Sequence, residues 1–572
     1  MKTKNIILGL LSASMAFSFS GCNMFEPELD NTYGEERVIE DASYAVGLLM
    51  KAYAGLPTGY DFSEVATDDA VTNNKSSEYV KMVSGGWSSL YDPMSTWNSS
   101  YEAIAYLNKL LSLADVIEWS PDSEERDKLQ HDKITGEAYA LRAYYHFQLL
   151  MAHGGKSSSG SMLGVPYLTD MVDPENESTW NLVRPPYSQT VEDILHDLDL
   201  AIELLPEEYK NTNTDPTADR IQGVKFKNRI DSRIATALKA RVALHAASPA
   251  YNGGEYDQEL CKEAAKCAAQ LIEKVGGIAE MTATRGSLAD YLFYDANMDS
   301  RNVEILWRAN YVTNYDLETQ NFPPSLFGNG EVNPTQNFVD AFPMANGYPI
   351  TDIANSQYDE DAPYAGRDPR LTDYVIYNGA KFKNVNINTS VDDPKDGLNV
   401  LTTSTRTGYY LKKLLREDVN LNPAAGRQHF RPLIRYTELF LIYAEAANEA
   451  YGPDNANTAG FSARQAIRAI RQRAGVGGTT ETSDEYLNSL SNLRDIIRNE
   501  RRIELSFEGF RFWDIRRWGN KLDETAKGIK YQGTLYELID VENRVFAPYM
   551  QYGPIPSDQI TKTRNLEQNA GW

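Results

Sequence analysis

Chemistry in a chain usually announces itself through histidines, cysteines and spaced carboxylates, and here those signals are thin. Six histidines occur, His131, His146, His153, His196, His245 and His429. A zinc hydrolase would place two of them on one helix face around a glutamate, and no His-Glu-x-x-His is present. His146 and His153 are seven apart, about 10 Å along a helix, too far to share one metal ion. Gly155-Lys156-Ser157 ends like a phosphate-binding loop. Leu150 stands where its first glycine belongs, however, and the motif follows a helical pattern rather than a strand. Asp295, Asn297 and Asp299 begin like a calcium loop, but Ser300 replaces the turn glycine and Leu306 the bidentate glutamate. No Gly-x-Ser-x-Gly elbow appears. Two carboxylates suffice for a glycosidase, and among 80 acidic residues no pair distinguishes itself. The sequence yields no catalytic residue, no metal site and no cofactor site.

The densest chemistry lies at 498–519, RNERRIELSFEGFRFWDIRRWG. Arg501, Arg502, Arg511, Arg516 and Arg517 alternate with Glu500, Glu504, Glu508 and Asp514, and Phe507, Phe510, Phe512, Trp513 and Trp518 share the stretch. Between Asn499 and Gly519 the local charge is only about +1, too little to attract a phosphate backbone. The expectation is arginine–carboxylate pairing and guanidinium–aromatic stacking that lock a helix end and the following turn against the core.

The elements that hold these residues follow from composition and pattern. The 572 residues are 42% apolar and 24% charged, enough for a sizeable core. The 56 Lys and Arg against 80 Asp and Glu leave a net charge of −24, which excludes nucleic acid as a partner. At the N-terminus Lys2 and Lys4 precede a short apolar run at 6–19, followed by Ser20-Gly21-Cys22. That arrangement resembles the lipobox of bacterial lipoproteins: residues 1–21 would be a signal peptide and Cys22 the lipidated residue of a tether over 22–40. No other apolar stretch approaches the ~18 residues of a membrane span. Cys261 and Cys267 are six apart on a helical pattern, about 9 Å of rise, beyond the ~7 Å reach of a disulfide, and read as core fillers.

Apolar periodicity near 3.6 predicts helices at 40–56, 97–118, 126–152, 190–205, 230–247, 257–275, 434–451, 461–474 and 491–508. Many combine alanines with large aromatics, as in ITGEAYALRAYYHFQLL and ELFLIYAEAANEA. Small residues let helices approach closely while aromatics fill the opposing gaps, as in stacked tetratricopeptide-like pairs. No strict 34-residue repeat occurs. Residues 278–432 read differently, rich in Pro, Gly, Asn and Tyr and dense enough in aromatics to argue against disorder. The fold class expected is mainly α, a helix-pair scaffold carrying a large loop-rich irregular region. The body would be one unit over 41–572: scaffold at 41–277 and 433–519, ligand-side insertion at 278–432, C-terminal tail at 520–572.

IRNERRIELSFEGFRFWDIRRWG resembles the C-terminal hallmark of the SusD/RagB family of surface lipoproteins. RYTELFLIYAEAANEAYG with ARQAIRAIRQRAGV resembles the helices that precede it, and YGPIPSDQITKTRNLEQNAGW the family's ending. TWNSSYEAIAYLNKLL, GVPYLTD, NFVDAFPMANGYPI and GRDPRLTDYVIY fall in the family's order, so the resemblance spans nearly the whole chain. It implies a non-catalytic, glycan-binding lipoprotein on the outer membrane, facing the cell exterior. Such a protein acts as a lid that passes oligosaccharide or polysaccharide to a SusC-like TonB-dependent transporter. The alternatives are the same lid role for peptide cargo and, more remotely, a surface glycoside hydrolase.

Sugar rings stack their C–H faces on Trp or Tyr and direct hydroxyls at Asp, Asn or Arg. Loop positions that meet this description are Asp68, Asn73, Trp87 and Tyr91 in one cluster and Tyr291, Tyr294, Asn314 and Tyr315 in another. Trp87 is the first choice, since it follows Gly85-Gly86 where helix signals are poor. Trp97, Trp307 and Trp513 read as core.

Overall fold

The computed structural model describes residues 35–283 and 304–572. Its scaffold is helical, and several helices begin where the sequence supplies a capping side chain. Helix α1 (Ala42–Ala54) starts behind Asp41, whose carboxylate accepts from Ser43 N at 2.9 Å. Helix α2 is Trp97–Leu113 and α3 is Glu124–His153, the latter capped by Ser123 with Glu124, Glu125 and Asp127 in its first turn. Next come α4 (Tyr187–Leu204), α5 (Ser232–Ala247) and α6 (Gln258–Lys274), α5 and α6 behind the N-caps Asp231 and Asp257. After the loop-rich region come α7 (Tyr436–Tyr451), α8 (Ala463–Arg473) with a Ser462–Gln465 capping box, α9 (Arg494–Glu504) and α10 (Arg511–Arg517). The nine expected helices are all present, with ends shifted by a few residues.

From α1 to α8 each helix packs on the next in chain order, so the scaffold is a stack of helices around one continuous core. The loop-rich stretch leaves after α6 and returns so that α7 lies against α6. Small residues set the spacing: a methyl at Gly136 on α3 would meet the Leu205 side chain at 2.8 Å. Buried polar pairs fix the register. Arg142 on α3 donates to both Asp197 oxygens on α4 at 2.7 and 2.8 Å. Glu137 accepts from Tyr53 on α1, Tyr209 and Arg229 at 2.5, 2.8 and 2.6 Å. Cys261 and Cys267 are free and buried in α6. The tether expected to run to residue 40 is helical over Glu35–Glu40, because Val38 and Ile39 pack on the core.

The irregular layer draws on three separated stretches. Strand β1 (Ala70–Thr72) pairs antiparallel with β4 (Val332–Pro334). Strands β2 (Ile305–Arg308) and β3 (Val312–Asn314) pair with β6 (Pro432–Arg435) and β5 (Arg427–His429). The C-terminal hairpin β7–β8 (Ala526–Gln532, Leu535–Glu542) joins the layer through Ile529 N to Thr407 O and Val391 N to Tyr531 O.

The segment 494–517 forms the junction between the layers. Helix α9 ends in a turn with Phe507 at φ 60° and Gly509 at φ 89°, and α10 leaves at a new angle. Buried Glu504 receives guanidinium groups of Arg370 and Arg435 at 3.1 and 3.2 Å, together with Arg473. Glu500 binds Arg370 and Arg471 at 2.9 and 2.8 Å. Burial alone would raise the Glu504 carboxyl, but Arg473, Arg435 and Arg370 outweigh it and hold it well below the ordinary carboxylate range. This is the locking arrangement expected of the hallmark. No helix among the described residues is long and apolar enough to cross a membrane.

Candidate ligand cavity

Where scaffold and irregular layer meet, they enclose a cavity of about 560 Å³. Its floor is helical: Tyr144, Phe147, Gln148 and Met151 from α3, Arg241, Leu244 and His245 from α5, Ile442 from α7. Its mouth is built from Gly59–Asp61, Tyr79, Pro93–Thr96 and Arg431–Leu433, and its end wall from Glu508–Phe510, Trp513, Asp514 and Arg517. Each wall is positioned by local chemistry. Asp61 accepts from Ser63 N at 3.0 Å and so starts the helical turn Ser63–Ala66. The 508–510 turn is pinned to that turn by Gly509 N donating to Glu64 Oε1 at 2.8 Å.

The lining pairs aromatic surface with polar groups. Tyr60, Tyr79, Phe510 and Trp513 are all half-buried, each presenting ring surface to the cavity. Most charges are internally matched. Arg241 grips both Glu438 oxygens at 2.7 Å, and Asp514 accepts from Arg501 and Arg517 at 2.8 Å each. Burial would raise the Glu508 carboxyl, but Arg435 and Lys413 hold it below its usual range. Four buried lining atoms have no hydrogen-bond partner among the described residues: Tyr60 Oη, Thr96 Oγ1, His245 Nε2 and Arg501 Nη1. Burial, with Arg517 and Arg501 nearby, pushes His245 down to about 3, so its ring is neutral at ordinary pH. Orphaned buried polar atoms are costly, so their gathering around one cavity marks a surface suited to a hydroxyl-bearing ligand. Among the described residues no group of His, Cys, Asp and Glu could hold a metal ion.

Of the eight expected ligand residues, Tyr291 and Tyr294 lie outside the described residues, as does Cys22, and none of the other six lines this cavity. Trp87 is a correction. It is 4% exposed, its indole N–H donates to Asp92 at 2.8 Å, and Phe512, Phe546 and Trp572 stand edge-on around it. The glycines that suggested an exposed loop instead form a helical turn at Met82–Gly86 that turns the indole inward. Asp68 is likewise engaged, by Arg511 at 2.9 and 2.8 Å and Arg502 at 2.9 Å. The Asn73 amide holds Asn329 O and Gly330 O at 3.0 and 2.8 Å, closing the layer rather than facing a ligand. Asn314 donates to Asp316 at 2.7 Å. Tyr91 is half-exposed with Lys81 3.6 Å above its ring, and Tyr315 is 41% exposed. Of the tryptophans expected in the core, Trp97 and Trp307 are there, whereas Trp513 lines the cavity. The residues missed, Tyr60, Asp61 and Tyr79, lie in or beyond GLPTGYDF, whose Gly and Pro were the available signal. A second cleft of about 360 Å³ lies between Trp97, Tyr101, Trp180 and Leu566.

Comparison with known proteins agrees with the fold. A family model described as the SusD family matches residues 292–572, and one described as starch-binding associating with outer membrane matches 36–220. Two SusD-like proteins of Formosa agariphila are each 30% identical over 151 and 130 residues, 26% and 23% of this chain. The match spans only 26% and 23% of those relatives' own lengths. Among solved structures, a SusD-like protein from Bacteroides fragilis superposes with a TM-score of 0.72 at 24% identity, covering 94% of this chain and 99% of that one. A SusD-like carbohydrate binding protein from the same organism gives 0.69 at 22% identity, covering 92% and 99%.

Proposed function

The chain belongs to the SusD/RagB family, and on that premise we propose that it binds carbohydrate in the cavity between its helical scaffold and its irregular layer. The observation that carries this reading is one cavity lined both by half-buried Tyr60, Tyr79 and Trp513 and by the unpartnered Tyr60 Oη, Thr96 Oγ1, His245 Nε2 and Arg501 Nη1. Rings accept the C–H face of a pyranose, and the orphaned polar atoms accept from or donate to its hydroxyls. The starch-binding description of the N-terminal family model supports the same ligand class, as does the second Bacteroides fragilis relative, a carbohydrate binding protein by name. Tyr91, two residues from the Pro93–Thr96 wall, and Tyr315 keep exposed ring surface and serve in this reading as outer contacts.

In the cell the protein sits on the outer membrane through a lipid on Cys22, faces outward, and hands its ligand to a SusC-like TonB-dependent transporter without cleaving it. The outer-membrane wording of the matching family model favours that address. Titration calorimetry against a panel of oligosaccharides tests the ligand class. At least one member should bind the wild type, and Trp513→Ala should weaken it about five- to tenfold, the worth of one aromatic contact. Equal affinity in the two proteins would remove Trp513, and with it the end wall, from the site.

A further inference from the structure

One point on the cavity wall is shaped by an absence of side chain. A methyl placed on Gly509 would lie 3.4 Å from Arg431 Nη2 and 3.8 and 4.0 Å from the two Asp61 carboxylate oxygens. The guanidinium and the carboxylate thus converge on one methyl-sized point, with all three residues lining the cavity. Arg431 is held by Gly59 O and lies 5.7 Å from the Tyr60 ring, and it carries no ion pair among the described residues. Asp61 is exposed, and its carboxylate accepts from Ser63 N. Tyr60, next in sequence, brings its unpartnered hydroxyl to the same wall.

Resting on the carbohydrate reading above, we propose that Asp61 and Arg431 clamp a vicinal diol of an uncharged sugar over Gly509, and that the site therefore selects neutral glycans over uronic-acid or sulfated ones. A carboxylate takes the hydrogens of two neighbouring hydroxyls while a planar guanidinium donates to their oxygens, so the pair reads a diol from both sides. A glycan carboxylate or sulfate at this point would meet the Asp61 charge, which the Arg431 guanidinium already faces across the Gly509 point. The whole-chain charge of −24 opposes the approach of a polyanion as well. Fixed cations in the deeper cavity do not offset this, because Arg241, Arg501 and Arg517 are already paired with Glu438, Asp514 and Glu445.

The test uses the full chain, purified in detergent, and two probe sets in calorimetry: neutral hexaoses of glucose, mannose and xylose, and hexamers of galacturonate and of sulfated galactan. A neutral probe should bind and the anionic ones should bind at least about tenfold more weakly. Asp61→Asn, which keeps an oxygen for Ser63 N, should weaken the neutral probe by roughly tenfold and narrow the gap to the anionic set. Arg431→Gln should weaken the neutral probe to a similar degree, and circular dichroism on both variants separates lost binding from lost folding. Tight binding of an anionic probe, or neutral binding indifferent to Asp61→Asn in a folded variant, overturns the clamp and leaves the carbohydrate reading intact. Binding of no member of either set overturns both.

Discussion

At the residue scale the lesson lies in two tryptophans. Trp87 follows two glycines in a segment without helical period, the pattern expected of an exposed stacking residue. It is buried, because the glycines permit a tight turn that points the indole into a cluster with Phe512 and Phe546. Trp513 sits in a run of arginines and aromatics in which every ring looks alike, yet it faces the cavity while Trp518, five residues on, is buried with its N–H on Glu445 at 2.8 Å. Exposure of one ring and not the next depends on the angle at which α10 leaves the Gly509 turn, and no residue pattern encodes that angle. Glu64 offers a prediction at this scale. Burial, with Asp61 beside it, raises its carboxyl from 4.5 to about 8. Between those values the folded state holds a proton that the unfolded chain releases, so this group's contribution to stability is full at low pH and is lost as pH rises through about 8. Urea melts should therefore show Glu64→Gln gaining on the wild type between pH 5 and pH 9, by an amount on the order of a few kcal/mol. A difference that does not move with pH would mean that Glu64 is ionised throughout.

Elements were far easier to read. Helices at 42–54, 124–153, 187–204, 232–247 and 436–451 fall within a few residues of their apolar periods, and the capping side chains Asp41, Ser123 and Asp231 fix where three of them start. The short paired strands of the irregular layer were not legible. Their partners are far apart in sequence, as in Ala70–Thr72 with Val332–Pro334, and two or three residues carry no alternation to detect. The charge pattern around α9 was legible as pairing but not as a network, since Arg370, Arg435 and Arg473 come from other elements. Removing the shared acceptor should leave three buried guanidinium groups short of a counter-charge. Glu504→Gln is expected to lower the unfolding free energy by about 3–5 kcal/mol in denaturant melts. A loss under about 1 kcal/mol would show that the remaining carboxylates take over.

For the whole molecule, the resemblance read from the hallmark and the matching family models lead to the same family, and the proposed ligand cavity lies at the layer boundary. The helical scaffold and the irregular layer each have buried clusters of their own, and the cavity lies where the two meet. The concavity exists because 57–61, 79 and 93–96, the start of β6 and the 508–517 turn and helix all close over α3 and α5. That convergence of distant stretches is why the cavity could not be read from the chain. The proposed anchor is tested on this scale too: Cys22→Ser should abolish incorporation of labelled palmitate in the native host and move the protein from membrane to soluble fractions, whereas unchanged labelling would exclude Cys22 as the attachment point.

The most direct test of the central claim is a crystal structure with the tightest-binding oligosaccharide of the calorimetry panel. Sugar density between Tyr60, Trp513 and the Asp61–Arg431 pair is the predicted result. Density confined to another surface, such as the cleft between Trp97 and Trp180, with the cavity free of sugar, would contradict it.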